Sequence, residues 1–64
     1  MTELEKEMWL TNIVNLVDSV SDAMGYKTVK FVFENYGAKS LDDLRPEFYE
    51  AVFCDLAVIE ANIA

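Results

Sequence analysis

The sequence predicts an all-α fold, a small orthogonal bundle of three principal helices with an extra one-turn helix before the last. Three observations lead to this prediction. Apolar residues recur with a helical period along most of the chain. Gly25 and Gly37 each follow such a stretch, where glycine commonly ends a helix. A length of 64 residues leaves room for a single helical domain, residues 1–64.

The first helix is predicted to begin at the capping box Thr2-Glu3-Leu4-Glu5 and to end at Met24, before Gly25. Its broad apolar arc suits a helix that packs against two neighbours. The arc consists of Trp9, Leu10, Ile13, Val14, Leu16, Val17, Val20, Ala23 and Met24. Leu4 and Met8 fall on the polar side. They indicate either frayed first turns, the preferred interpretation, or contact with a partner.

The second helix is predicted to span residues 26–36. The β-branched and aromatic residues of Thr28–Phe33 are typical of a strand. However, apolar residues here repeat at i, i+3, i+4 and i+7, and Gly37 follows them as a helix terminator. These residues are Val29, Val32, Phe33 and Tyr36. A lone strand would also have no pairing partner in this chain.

Two helix starts are predicted in the second half of the chain. Ser40 is expected to cap a one-turn helix, with Asp42 and Asp43 in its first turn and Leu41 and Leu44 pointing inward. Pro46 fits the first turn of the last helix. The apolar stripe of that helix consists of Phe48, Tyr49, Val52, Phe53, Leu56, Ile59 and Ile63. This stripe predicts an amphipathic helix that packs against the core.

The composition argues against catalysis. The chain has no histidine, and therefore neither the usual general base near neutral pH nor the commonest metal ligand. Its single cysteine excludes a structural zinc site and an intramolecular disulfide. Two widely spaced glycines form no phosphate-binding loop, and helix-start chemistry explains the pair Asp42-Asp43. We expect no enzymatic activity, no catalytic, cofactor-binding or metal-binding residues, and no small-molecule substrate.

The net charge is −7, from 12 acidic and five basic residues. This charge argues against direct binding of nucleic acid and against anionic membrane surfaces. Residues 1–26 contain five acidic residues and one basic residue, and residues 27–45 contain three acidic and four basic residues. Residues 46–64 contain four acidic residues and no basic residue. Acidic outer faces on the two long helices suggest a DNA mimic that inhibits a restriction enzyme or a DNA-binding regulator. Ordinary solubility explains the same charge.

Several features indicate a cytoplasmic protein. The longest uninterrupted apolar run is Ala51–Cys54. A membrane span needs about 20 apolar residues, so none is expected. The first twenty residues carry Glu3, Glu5 and Glu7 and lack the basic flank of a secretory signal. One unpaired cysteine without an export signal fits a reducing compartment.

The last helix has a second apolar face, opposite its aromatic stripe. This face consists of Ala51, Cys54, Ala57, Val58 and Ala61. Small residues let another helix approach closely, which favours a homodimer or a docked protein partner. The alternative is that alanine is simply the best helix former. Phe31 lies among polar residues and is either a further binding anchor or a cover for the edge of the core.

The second half of the chain carries a recognisable pattern. Phe33–Leu44 reads Phe-Glu-Asn-Tyr-Gly-Ala-Lys-Ser-Leu-Asp-Asp-Leu and is followed by Pro46, Phe48-Tyr49, Val52-Phe53, Leu56 and Ile59-Glu60-Ala61. It resembles short acidic proteins encoded in conjugative transposons and related integrative elements of bacteria. The resemblance implies a small helical accessory protein and assigns no site residue. We therefore predict a non-catalytic protein–protein interaction module, self-associating and accessory to a mobile genetic element, with the DNA mimic as the alternative.

Overall fold

The computed structural model describes residues 2–63 and confirms the all-α prediction. Helix α1 spans Glu3–Met24, α2 spans Tyr26–Asn35 and α3 spans Tyr49–Ile63. Two 3₁₀ turns, Leu41–Asp43 and Pro46–Phe48, connect α2 to α3, and no strand occurs in the described residues. Helix α1 packs most extensively against α3 and next against α2. At about 1.5 Å per residue, its 22 residues match the 32 Å long dimension of the molecule.

The first helix is capped at its beginning as the sequence predicts. The backbone N–H of Glu5 donates to the Thr2 hydroxyl over 3.1 Å. The N–H of Lys6 donates to the Thr2 carbonyl over 3.0 Å. The preferred expectation of frayed first turns is therefore wrong, because the first turn of α1 is helical in this structure. Leu4 and Met8 are exposed on a regular helix.

Gly25 is the only residue between α1 and α2. Its backbone angles of φ 88° and ψ 155° belong to a region that is essentially restricted to glycine. The Gly25 N–H donates to the carbonyl of Ser21 over 2.9 Å, and its own carbonyl accepts from Thr28 over 3.3 Å. One glycine thus ends the first helix, changes the chain direction and begins the second helix.

The second helix ends at a Schellman motif centred on Gly37, which has φ 73°. The N–H of Ala38 donates to the carbonyl of Phe33, and the N–H of Gly37 donates to Glu34, both over 3.0 Å. Ala38 and Phe33 are both buried, which supplies the apolar contact that accompanies such a motif. The predicted helix end is confirmed to within one residue.

The predicted cap at Ser40 is wrong, because the Ser40 side chain caps nothing. In the 3₁₀ turn the N–H of Asp43 already donates to the Ser40 carbonyl over 3.1 Å, so it is not free for the hydroxyl. The Asp43 carboxylate instead accepts from the N–H of Lys39 over 3.3 Å. As expected, Leu44 is buried and Leu41 is partly buried.

The core draws on all three helices and on the connection before α3. Its buried members are Ile13, Val20, Val29, Val32, Phe33, Ala38, Leu44, Tyr49, Val52 and Leu56. Partly buried side chains surround them, including Trp9, whose ring meets that of Phe53 edge to face at a centroid distance of 5.5 Å. No helix of residues 2–63 combines the length and the apolarity that a membrane crossing requires.

The buried arc of α1 is narrower than predicted. Val14, Ala23 and Met24 are exposed. At about 100° per residue, Val14 and Ala23 lie at the two margins of the arc, where neighbouring helices do not reach. Met24 lies in the last turn of α1. Ile63 in the last turn of α3 is exposed for the same reason, because the end of a helix has fewer neighbours.

Candidate interaction surfaces

The predicted small-residue face of α3 is only partly exposed. Cys54, Val58 and Ala61 are exposed, and Val58 shows 61% of its surface. Ala51 and Ala57 are half-buried. Ala57 follows Phe53 by one turn, and the ring of Phe53 packs on α1. The exposed part is therefore a row at positions i, i+4 and i+7 rather than a broad face.

Phe31 is 64% exposed, so the expectation that it covers the edge of the core is wrong. It lies on α2 and lines an open groove of about 280 Å³ together with Val58 of α3. The groove is completed by Val32, Asn35, Asp55 and Ile59. The fold thus joins the two predicted features, and we call Phe31, Cys54, Val58 and Ala61 the α2–α3 strip.

A polar contact lies beside this groove. The Tyr36 hydroxyl donates to a carboxylate oxygen of Asp55 over 2.7 Å, which links the end of α2 to the middle of α3. This hydrogen bond, together with burial and the negative charge of Asp55, raises the pKa of Tyr36. Sequence reasoning missed the pair, because the two residues are 19 positions apart and no local pattern connects them.

The beginning of α1 carries two large exposed apolar residues, Leu4 at 67% and Met8 at 59%. Both line a shallow groove of about 290 Å³ with Glu7, Thr11 and Asn12. Both side chains lie on the surface of a regular helix, because α1 begins at Glu3.

A cleft of about 820 Å³ lies at the other end of α1. Its lining consists of Met24, Gly25, Tyr26, Lys27, Lys30 and Lys39. We call it the basic cleft, because it holds three of the five basic residues of the chain. Sequence reasoning missed this cleft. The available signal was the slightly basic middle segment, but only the chain reversal at Gly37 brings Lys39 beside α2.

None of the three lysines forms an ion pair with a carboxylate of residues 2–63. In this part of the chain only Arg45 and Glu47 are paired, over 3.6 Å, and both are largely exposed. A surface pair of this kind contributes little to stability. Three lysines without an ion pair thus line one concave site on a protein with a net charge of −7.

The structure offers little for chemistry at a bound metal. Within residues 2–63, no group of three or more Cys, Asp or Glu side chains is placed as metal ligands would be. The exposed features described so far are the α2–α3 strip, the beginning of α1 and the basic cleft. Comparison of the chain with protein-family models, with curated proteins and with solved structures finds no match.

Proposed function

We propose that this protein is a non-catalytic protein–protein interaction module that pairs with a second copy of itself through the α2–α3 strip. One observation carries the proposal: Phe31 and Val58, from two different helices, are both more than 60% exposed and line the same groove. Apolar side chains that are exposed side by side favour burial against another surface. The resemblance of Phe33–Leu44 and the residues that follow supports a role as an accessory of a bacterial mobile element.

The strip suits a symmetric pair. Cys54 and Ala61 are small, so a second α3 can approach closely. Across a twofold axis each residue of the strip is buried in both copies. Full burial of a side chain such as Phe or Val contributes about 1.5–3 kcal/mol. The freedom lost on association costs roughly 4–15 kcal/mol. We therefore expect weak pairing, seen at high micromolar concentration.

The net charge predicts how this pairing responds to salt. Two copies that each carry −7 repel each other, and salt screens this repulsion. The apolar contact itself does not depend on opposite charges. Pairing through the α2–α3 strip should therefore strengthen as the salt concentration rises.

The test is the mass in solution of the wild type, Val58→Glu and Phe31→Glu, measured by sedimentation equilibrium at high micromolar concentration. Val14→Glu is the matched control, because Val14 is also exposed, at 42%, but lies on α1 outside the strip. At high salt, where contacts between opposite charges are screened, we expect a dimer for the wild type and for the control and a monomer for both strip variants. A wild type that remains monomeric, or a control that dissociates equally, would contradict the proposal.

The sole cysteine provides a second readout. Cys54 is exposed within the strip, so a spin label can be attached there and nowhere else in the chain. In a symmetric pair the two labels should show dipolar coupling, and this coupling should be absent when the label is attached to Cys54 of Val58→Glu. A strip variant that loses the dimer but keeps the helical circular dichroism signal shows that the substitution disrupts the interface and not the fold.

The DNA-mimic alternative receives less support from the distribution of charge. A mimic of the DNA backbone needs a continuous acidic surface, whereas Lys27, Lys30 and Lys39 lie together beside the corner between α1 and α2. The carboxylates themselves are distributed over all three helices and both 3₁₀ turns. No acidic run marks one face for a DNA-binding protein.

A further inference from the structure

We infer that the basic cleft binds the acidic beginning of α1 from a second copy of this chain, so that molecules associate head to tail. The inference extends the proposed self-association to a second surface and uses none of the residues of the α2–α3 strip.

The cleft combines charge with apolar area. Lys27 and Lys30 lie on the same side of α2, three residues apart, and Lys39 lies beside them in the same cleft. Met24 and Tyr26, 52% and 53% exposed, add apolar surface at the same site. Like charges that are held together repel one another, and an anionic occupant removes this cost. The cleft therefore selects a partner that is both acidic and apolar.

The beginning of α1 has this combination. Glu3 and Glu7 lie one turn apart on the helix, and Leu4 and Met8 form the adjacent row, also one turn apart. Glu7, Leu4 and Met8 line one groove, so the acidic and apolar rows share a surface. All four side chains are exposed. The acidic row complements the lysines, and the apolar row complements Met24 and Tyr26.

The two surfaces cannot meet within one molecule. They lie at opposite ends of α1, a separation of about 30 Å for 20 residues of helix. Contact must therefore join one copy to the next. Such an interface uses a different surface on each partner, and it leads to a ring or an open chain of molecules. Because opposite charges dominate it, this association weakens with salt, whereas pairing through the α2–α3 strip strengthens.

Charge reversal on one surface at a time tests the inference. The first variant carries Lys27→Glu and Lys30→Glu, and the second carries Glu3→Lys and Glu7→Lys. Both are made in a Val58→Glu background, so that failure of strip pairing cannot be confused with failure of head-to-tail contact. Val58→Glu alone should associate at low salt. Each charge-reversed variant alone should be monomeric by sedimentation velocity, because one of its two surfaces has the wrong sign.

An equimolar mixture of the two variants should associate at low salt with a one-to-one composition. In that complex the intact lysines of the second variant bind the intact acidic turn of the first. The dissociation constant should rise about tenfold or more between low and physiological salt. A chain with all four reversals should self-associate again. A mixture that stays monomeric would overturn the inference, as would a first variant that still self-associates at low salt. A wild-type cleft that binds inorganic phosphate but does not bind the beginning of α1 would overturn it as well.

Discussion

The hydroxyl of Tyr36 donates a hydrogen bond of 2.7 Å to the carboxylate of Asp55 and so joins the end of α2 to the middle of α3. These two helices share few other contacts. The Tyr36 ring also packs against that of Phe48, with centroids 5.4 Å apart, before α3 begins. The bond therefore helps to fix the relative position of Phe31 and Val58, which line the groove between the same helices.

Replacing Tyr36 by Phe should lower the free energy of unfolding by about 1 kcal/mol. A hydrogen bond to a charged group contributes about 1.5–3 kcal/mol, and partial exposure of this pair reduces that value. Urea denaturation measures the difference. Tyr26→Phe is the control, because Tyr26 is 53% exposed and has no side-chain hydrogen bond among residues 2–63. Equal effects of the two substitutions would show that the bond contributes nothing.

The same pair predicts a loss of stability at alkaline pH. The hydrogen bond to Asp55, burial and the charge of Asp55 raise the pKa of Tyr36 above the ordinary value of 10.0. Above that value the unfolded chain loses this proton before the folded chain does. The contribution of Tyr36 is thus complete below about pH 10 and is lost as pH rises through the folded pKa. Between pH 8 and 11, as test values, the unfolding free energy should fall further in the wild type than in Tyr36→Phe. Parallel curves would contradict this prediction.

Alanine at Gly25 should destabilise the fold more than alanine at Gly37. At neither position does an added Cβ meet another atom within 4 Å, so the comparison isolates the backbone. Gly37→Ala should lower the free energy of unfolding by about 1–2 kcal/mol, because alanine would have to adopt the left-handed conformation at φ 73°. Gly25 adopts a region that is essentially restricted to glycine, and its cost should be at the upper end of about 1–3 kcal/mol. Thermal melts of both variants give the order, and a larger shift at Gly37 would refute this ranking.

Ser21→Ala should stabilise the protein by about 0.5–1 kcal/mol. The Ser21 hydroxyl is buried on α1 without a hydrogen-bond partner among the described residues. Alanine removes this unsatisfied group and has the higher helix propensity. Ser19→Ala, at an exposed position two residues earlier, controls for propensity alone. The urea midpoint should rise more for Ser21→Ala than for Ser19→Ala. Equal midpoints would show that the buried hydroxyl does not lower the stability.

The helix order was predictable because its signals are local. Thr2 caps the next turn, and Gly25 and Gly37 end helices through the positive φ that only glycine adopts easily. The strand-like composition around Val29 did not mislead, because the apolar period of Tyr26–Asn35 matches a helix. The Ser40 cap failed because its pattern does not distinguish an α-helical turn from a 3₁₀ turn.

The candidate surfaces were only partly predictable, because most of them depend on contacts between elements. Val58 and Phe31 could be named separately from their helical positions, yet their shared groove requires the packing of α3 beside α2. The basic cleft depends on where the chain returns after Gly37. The pairing of Tyr36 with Asp55 likewise depends on tertiary structure alone.

The single-residue corner at Gly25 also has an electrostatic consequence. A helix has a partial charge of about −0.5 at its carboxyl end and about +0.5 at its amino end. At Gly25 the negative pole of α1 adjoins the positive pole of α2, so each compensates the other. This compensation fits the first turn of α2, which has no acidic residue, whereas the first turns of α1 and α3 do. It also permits a lysine, Lys27, in the first turn of α2, where an isolated helix would disfavour it.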